Sequence, residues 1–521
     1  MRKLALISVY KKDNIVDFAR ELVERHDYEI VSTGGTAELL RKNNIPTVEV
    51  SDLTQFPEIL EGRVKTLHPV VHGGLLARRD KPEHMGTIFK HNIRPIDMVI
   101  INLYPFEEVI SKSSITLEEA LENIDIGGPS MIRSAAKNFF AVTVISDPGD
   151  YSVVLKELNE NHGQTTLKLR ERLAIKAFHR TSSYDFTINN FLSNYFKQSE
   201  NGSSCFFPES ITLNLKLKQV LRYGENPHQK GALYLPANSN LGLANADIVQ
   251  GKELSFNNYL DLESAWNITS EFDTQTPVAV IVKHNTPCGV AIAQTLHHAF
   301  IEALNCDPIS AFGGVVSFNG KVNEQLAKEL IQIFFEAIIA PDYSPEALEI
   351  FKKKPNLRIL KINLDPNRIN ELDIKRIGQG FLMQDFDHRT LKSDDLRIVT
   401  KRKPTEKEMP DLVFSWKVCK HVKSNAIVIA KEGKTVGIGA GQTSRVGSVE
   451  IAINQASDNT KDAALASDAF FPFKDSIEIA ASTRIAAIIQ PGGSIKDKEV
   501  IEACDKYNIA MVFTGIRHFR H

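Results

Sequence analysis

A lysine and a histidine stand side by side in mid-chain, at the end of the apolar run in Pro277–Gly289, PVAVIVKHNTPCG. A cation beside an imidazole suits a reaction in which a proton leaves a nitrogen while negative charge grows on an oxygen. A lysine stem lying along a sheet and a hydrogen-bonded histidine at a strand end account for the same pair. A second concentration is Glu61–Gly74, EGRVKTLHPVVHGG, where Arg63, Lys65 and Thr66 beside a glycine suit holding a phosphate or polarising an amide oxygen. His68 and His72 have the spacing of paired zinc ligands. Pro69 lies between them and no glutamate stands where a zinc-protease helix needs one, so no metal is expected. Thr33-Gly34-Gly35-Thr36 opens a helix and reads either as a phosphate cradle or as a tight turn.

Other groups add donors. Ile124–Ser130, IDIGGPS, opens a helix with proline near its first turn, and Arg133 and Lys137 share a face of that helix. Arg222, Tyr223 and His228 crowd the turn-rich loop Leu221–Gln229. Ser467–Asp475 gathers three phenylalanines around Pro472, either as core or as an apolar wall for a flat heterocycle. Gly437, Gly439 and Gly441 have G-x-G-x-G spacing on a hairpin pattern, which excludes a dinucleotide fingerprint. Pro287-Cys288 resembles half of a zinc-deaminase motif, but Ala291 stands where the second cysteine is needed.

These residues need strands to carry them. Leu4–Val9, Glu29–Ser32, Asp97–Asn102 and Ala141–Ser146 are short apolar runs separated by helical periodicity, the pattern of a doubly wound parallel sheet. Ser8, Ser32, Asn102, Tyr104 and Asp147 then fall at strand ends, along the edge where such sheets bind ligands. Helical sequence runs from about Tyr151 to Phe196, and the polar stretch Lys197–Ser204 marks a domain boundary. Domains are therefore expected at 1–198 and 205–521. In the second, Val278–Val282 reads as a parallel strand buried on both faces, followed by a loop and a helix. Asn425–Ala430 and Thr435–Ile438 read as a hairpin turning at Glu432-Gly433. No internal repeat stands out.

At 521 residues the chain exceeds a single core. A net charge of -2 argues against nucleic-acid or membrane attraction, and no run is long enough to cross a bilayer. Five scattered cysteines without a C-x-x-C point to reduced thiols, and the start MRKLALISVY lacks a signal peptide's apolar core. A soluble cytoplasmic protein is expected.

GRVKTLHP, NLYPF, IDIGGPS with AAKN, LRYGENPHQ, VKHNTPCG, GAGQTSR and SDAFFPF occur in this order. Through them the chain resembles, over essentially its whole length, the AICAR transformylase/IMP cyclohydrolase family. The resemblance implies a methylglyoxal-synthase-like N-terminal domain that closes the purine ring. It also implies a C-terminal region of two cytidine-deaminase-like α/β subdomains, without zinc, that transfers formyl from 10-formyltetrahydrofolate to AICAR. Together these are the last two steps of IMP synthesis, carried out by a homodimer with transformylase sites at the subunit interface.

Carried over by motif, Lys65, Tyr104, Asp125 and Lys137 serve cyclisation, with Ser8, Lys12, Ser32, Gly34, Gly35, Thr36, Arg63, Thr66 and Asn102 around the nucleotide. Lys283, His284 and Asn425 serve formyl transfer. Arg222, Tyr223, Gly313, Glu336, Arg517 and Phe519 hold AICAR, and Phe312, Arg445, Phe470, Pro472 and Asp475 line the folate side. Tyr10 stands where many members have serine, which leaves its backbone to bind. Glu336 stands where some have aspartate, which changes its reach. The alternative is a phosphate- or nucleotide-sensing protein with a non-catalytic methylglyoxal-synthase-like domain. It predicts erosion of Lys65, Asp125, Lys137 or Lys283, and all four are present.

Overall fold

The computed structural model describes residues 2–112, 114–199, 207, 209–236, 242–363 and 372–521. The described chain divides into two compact units, 1–214 and 215–521. The expected boundary stretch lies, from residue 200 to 204, outside the described residues.

The first unit is built on a five-stranded parallel sheet in the order β3-β2-β1-β4-β5. Its strands are β1 (Lys3–Val9), β2 (Tyr28–Ser32), β3 (Thr47–Glu49), β4 (Met98–Asn102) and β5 (Thr143–Ile145). Leu4, Ala5, Leu6 and Ile7 of β1 are all buried, as a central strand covered on both faces requires. The chain fills one side of β1 and then crosses to β4 on the other, so the order reverses between β1 and β4. Ligands bind at the carboxyl ends of strands flanking such a switch point. The expected helical region resolves into two helices, Tyr151–Glu160 and Leu167–Ser199.

In the second unit β6 (Leu215–Leu221) and β7 (Gly231–Pro236) form a separate hairpin. The main sheet receives β8 (Asp247–Gln250), β9 (Val278–Lys283), β10 (Thr286–Ile292), β11 (Val315–Phe318), β12 (Ala337–Ala340) and β13 (Arg358–Lys361). After a second isolated hairpin, β14 (Leu372–Ile377) and β15 (Gly380–Asp385), six more strands join it. These are β16 (Arg397–Ile398), β17 (Ile427–Lys431), β18 (Lys434–Gly439), β19 (Ala464–Ser467), β20 (Ala487–Gln490) and β21 (Ala510–Phe513). The twelve-stranded order is β16-β21-β20-β19-β17-β18-β10-β9-β11-β12-β13-β8.

That order is a palindrome about the β18–β10 pair. Each half has a leading helix, a tight hairpin, and then parallel strands alternating with helices. Even the irregularities recur: both hairpins carry a register shift, at Pro287/Gly289 and at Ile429/Ala430. A Cβ on Gly289 would stand 1.9 Å from the Ala303 carbonyl oxygen, and one on Gly437 2.0 Å from that of Ala452. Glycine at both points lets a helix lie directly on its hairpin. The repeat is thus real, but it resides in topology and in a few glycines, and periodicity alone does not reveal it.

One expectation is corrected. Val278–Lys283 is buried as expected, but both its neighbours, β10 and β11, run antiparallel to it. The expected loop Asn285–Gly289 is mostly strand. His284 and Asn285 alone make the turn, with φ of 53° and 60°. Two left-handed residues give the turn whose twist matches a tight hairpin, and Asn285 favours it.

Candidate active sites

In the first unit a cavity of about 1100 Å³ opens at the switch point. Ser8, Lys12, Gly34, Gly35, Thr36, Arg63, Lys65, Thr66, Asn102, Tyr104 and Asp125 line it, delivered by β1, β4, the helix Gly34–Lys42 and the loops before the helix Gly127–Lys137. Ser8 and Thr33 share a hydrogen bond of 2.9 Å. Lys12 Nζ donates to Thr36 Oγ1 at 2.6 Å, and burial lowers the pKa of its ammonium.

Two expected residues lie elsewhere. Ser32 is buried, with its hydroxyl donating to the Ile7 carbonyl at 2.7 Å, so it ties β2 to β1. Lys137 is the last residue of the 11-residue helix Gly127–Lys137, roughly 15 Å from its cavity end at about 1.5 Å per residue. It is absent from the cavity wall. The expectation for Tyr10 also changes, because its N–H donates to Asn102 Oδ1 at 2.5 Å and is already engaged.

Asp125 is the best-defined group. Its Oδ1 accepts from the Gly128 N–H at 2.8 Å. Burial raises its carboxyl above the ordinary range, opposed by the Gly128 N–H and by the Lys65 charge. Burial also raises the Tyr104 phenol, and the Asp125 charge adds to that. Lys65 Nζ lies 3.8 Å from Glu58. The glycines permit this closeness: a Cβ on Gly127 would stand 2.5 Å from Thr66 Oγ1, and one on Gly128 2.3 Å from Asp125 Oδ2. Sequence reasoning missed Tyr184, whose hydroxyl accepts from the Asp125 N–H at 2.8 Å and donates to the Asn123 carbonyl at 3.2 Å.

The second unit gathers its residues along one edge of the large sheet. Val282 pairs with Val315, and Val315 with Ala337, so Lys283, Gly313 and Glu336 lie at adjacent strand ends. Lys283 Nζ donates to the Phe312 carbonyl at 2.7 Å, and Gly313, at φ 77°, donates to the Phe334 carbonyl at 2.7 Å. Glu336 is held by Arg358 at 2.6 Å. Ala291 pairs with Lys434, which puts Thr286 and Gly439 level, five residues further along. Asn425, just before β17, therefore shares this edge with His284, but three strand spacings away, roughly 14 Å.

Around Asn425 a second cluster forms. Arg445 donates to Asn425 Oδ1 at 2.7 Å and pairs with buried Asp468 at 2.5 Å. Asn425 Nδ2 donates to the Gln442 carbonyl at 2.8 Å. Arg445 is thus buried and committed to the wall of the site. Phe470, Asp475, Arg517 and Phe519 are exposed and Pro472 partly so; the Arg517 guanidinium lies 4.4 Å from the Phe519 ring. Arg222 lies 5.4 Å from the Tyr223 ring. Among the described residues no three His, Cys, Asp or Glu side chains are grouped to hold a metal ion.

A parallel-sheet pocket with a lysine, a phenol and a raised carboxyl, and a separate sheet edge with a lysine-histidine turn, define a two-site α/β enzyme. The comparisons specify which. Residues 135–455 match the family model described as AICARFT/IMPCHase bienzyme, and residues 14–130 match an MGS-like domain. The chain is 52% identical over 525 residues to the "Bifunctional purine biosynthesis protein PurH" of Caldicellulosiruptor saccharolyticus, each covered in full. Proteins of the same name from Thermoanaerobacter sp. (53% over 521 residues, both covered in full) and Aquifex aeolicus (52% over 520 residues, 99% of this chain and 100% of that one) match likewise. The chain belongs to the AICAR transformylase/IMP cyclohydrolase family. It is a bifunctional enzyme of purine biosynthesis that carries out the last two steps to IMP, and the sensor alternative finds no support.

Proposed function

We propose that ring closure takes place in the first-unit cavity with the motif residues that line it, and formyl transfer at the Lys283-His284 edge with the residues named by motif. The observation that carries the first assignment is the raised, amide-held carboxyl of Asp125 beside Lys65 and Tyr104 in one cavity. Closing formyl-AICAR requires the carboxamide nitrogen to lose a proton as it attacks the formyl carbon, after which the tetrahedral carbon loses water. A carboxylate with a raised pKa is a competent base for the first step and, once protonated, an acid for the second. Lys65 and the Tyr104 hydroxyl stabilise the charge that grows on the formyl oxygen. Ser8, Lys12 and the N–H groups at Gly34-Gly35 offer donors to a phosphate at a helix start, with the Thr36 hydroxyl holding Lys12 in place.

At the second site His284 accepts the proton that the AICAR amine loses on attacking the formyl carbon of 10-formyltetrahydrofolate. Lys283 stabilises the tetrahedral oxyanion, and tetrahydrofolate leaves. Arg222, Tyr223, Glu336, Arg517 and Phe519 contact AICAR, while Phe312, Phe470, Pro472 and Asp475 border the folate, with Arg445 holding Asn425. The strand spacings separating His284 from Asn425 favour a site completed by a second copy, so the enzyme acts as a homodimer. It works in the cytoplasm, and no helix among the described residues is long and apolar enough to cross a membrane. Domains at 1–198 and 205–521 each carry a full set of site residues. The test is conversion of AICAR and 10-formyltetrahydrofolate to IMP by the purified chain. Accumulation of formyl-AICAR without IMP would remove the cyclisation assignment, and no consumption of AICAR would remove the formyl-transfer assignment.

A further inference from the structure

The turn that carries His284 is gripped from below by one helix. Asp261 and Ser264, three apart on the helix Phe256–Thr269, share a face of it. Asp261 Oδ1 accepts from the Asn285 N–H at 2.7 Å, and the Ser264 hydroxyl lies 3.5 Å from Asn285 Oδ1. His284 itself has φ 53°, a left-handed conformation unfavourable for a residue with a Cβ and kept only where the surroundings impose it.

The other half of the palindrome supplies an internal comparison. There the turn is Glu432-Gly433, and Asp411, in the first turn of the helix Glu408–Cys419, takes the place of Asp261. Asp411 accepts from both turn amides, Oδ2 from Glu432 and Oδ1 from Gly433, each at 2.8 Å. Asp261 accepts only from the second amide, so its other oxygen takes no turn N–H. The same device serves both hairpins. Only in the first half does the turn carry a group placed in the chemistry.

We propose that Asp261 is a positioning residue for formyl transfer, holding the 284–285 turn so that the His284 imidazole is presented from the sheet edge in a single orientation. The inference rests on the assignment of His284 above. Asparagine at 261 keeps an oxygen for the Asn285 N–H, whereas alanine leaves that amide without its partner. A misplacement of about 1 Å at a reacting group costs on the order of a hundredfold in rate.

The experiment measures formyl transfer, ring closure and melting temperature on the full-length protein and its Asp261→Ala, Asp261→Asn, Asp411→Ala and His284→Ala variants. Asp261→Ala should lower the kcat of formyl transfer at least about tenfold with the KM for AICAR little changed, and leave closure intact. Asp261→Asn should recover most of that loss. Asp411→Ala should lower the melting temperature but not the kcat of the folded enzyme. Normal kcat in folded Asp261→Ala, no recovery with asparagine, or an equal kcat loss in Asp411→Ala would each overturn the proposal. Normal formyl transfer in His284→Ala would instead overturn the site assignment on which it rests.

Discussion

Replacing Gly128 by alanine tests the cyclisation site through a single carbon atom. The new Cβ would stand 2.3 Å from Asp125 Oδ2 and 2.9 Å from Leu103 Cδ2. Ordinary contact lies near about 3.5 Å, so the carboxylate must withdraw by roughly 1 Å and strain its bond from the Gly128 N–H. Such a displacement of a reacting group costs on the order of a hundredfold, about 3 kcal/mol of transition-state stabilisation. The fold is affected less. Overpacking costs about 1–3 kcal/mol, and alanine in a helix returns about 1 kcal/mol relative to glycine. Gly128→Ala should therefore close formyl-AICAR about a hundredfold more slowly, with a melting temperature within a few degrees and formyl transfer unchanged. The assay follows IMP formation from formyl-AICAR on the preparation used for the melt. A folded variant with closure within about threefold of the parent would refute the reasoning, because Asp125 would then tolerate displacement.

Tyr184→Phe keeps the ring but removes the hydroxyl that holds the Asp125 backbone; a hydrogen bond nets about 1 kcal/mol, so closure should slow roughly fivefold in steady-state assays. Glu271→Ala leaves Lys420, bonded to it at 2.8 Å and nearly fully buried, without its carboxylate, which should cost about 3–5 kcal/mol and lower the melting temperature by several degrees. Burial alone would raise Glu271, but His421 and Lys420 hold it down at about 2, against an ordinary 4.5. Its folded pKa is depressed, so the stability it contributes, about 3 kcal/mol, is present above pH 4.5 and lost as pH falls toward 2. The loss should be absent from acid titrations of Glu271→Gln. A fragment ending at Asn214 should close formyl-AICAR without folate; a folded but inactive fragment would show that the second unit is needed.

Much of the first site was legible because a parallel sheet turns sequence order into place. Once β1 and β4 are recognised, Ser8, Asn102 and Tyr104 must meet at the switch point, and the glycine-rich helix starts at Gly34 and Gly127 must lie beside them. For Lys137 the sequence shows the helical face but not the distance along the axis, which sets it at the far end of the helix Gly127–Lys137. For Ser32 the sequence shows the strand end but not the pairing of β2 with β1, which gives its hydroxyl the Ile7 carbonyl as a partner. Tyr184 could not be found, since nothing in a long helix marks which hydroxyl meets a loop from another part of the chain. In the second unit the apolar run Val278–Val282 correctly implied burial on both faces. Burial is common to parallel and antiparallel central strands, however, and the left-handed turn at His284-Asn285 decided the matter. The palindrome escaped because its halves share topology and glycine contacts more than side-chain pattern.

Two chemistries thus reside in two separate constellations of one chain. The most direct measurement of this separation is both half-reactions, assayed independently, on full-length Lys65→Ala and His284→Ala. The expected result is crossed: Lys65→Ala transfers formyl normally and closes the ring at least about a hundredfold more slowly, while His284→Ala does the reverse. Either variant, folded, losing both activities together or neither would contradict it.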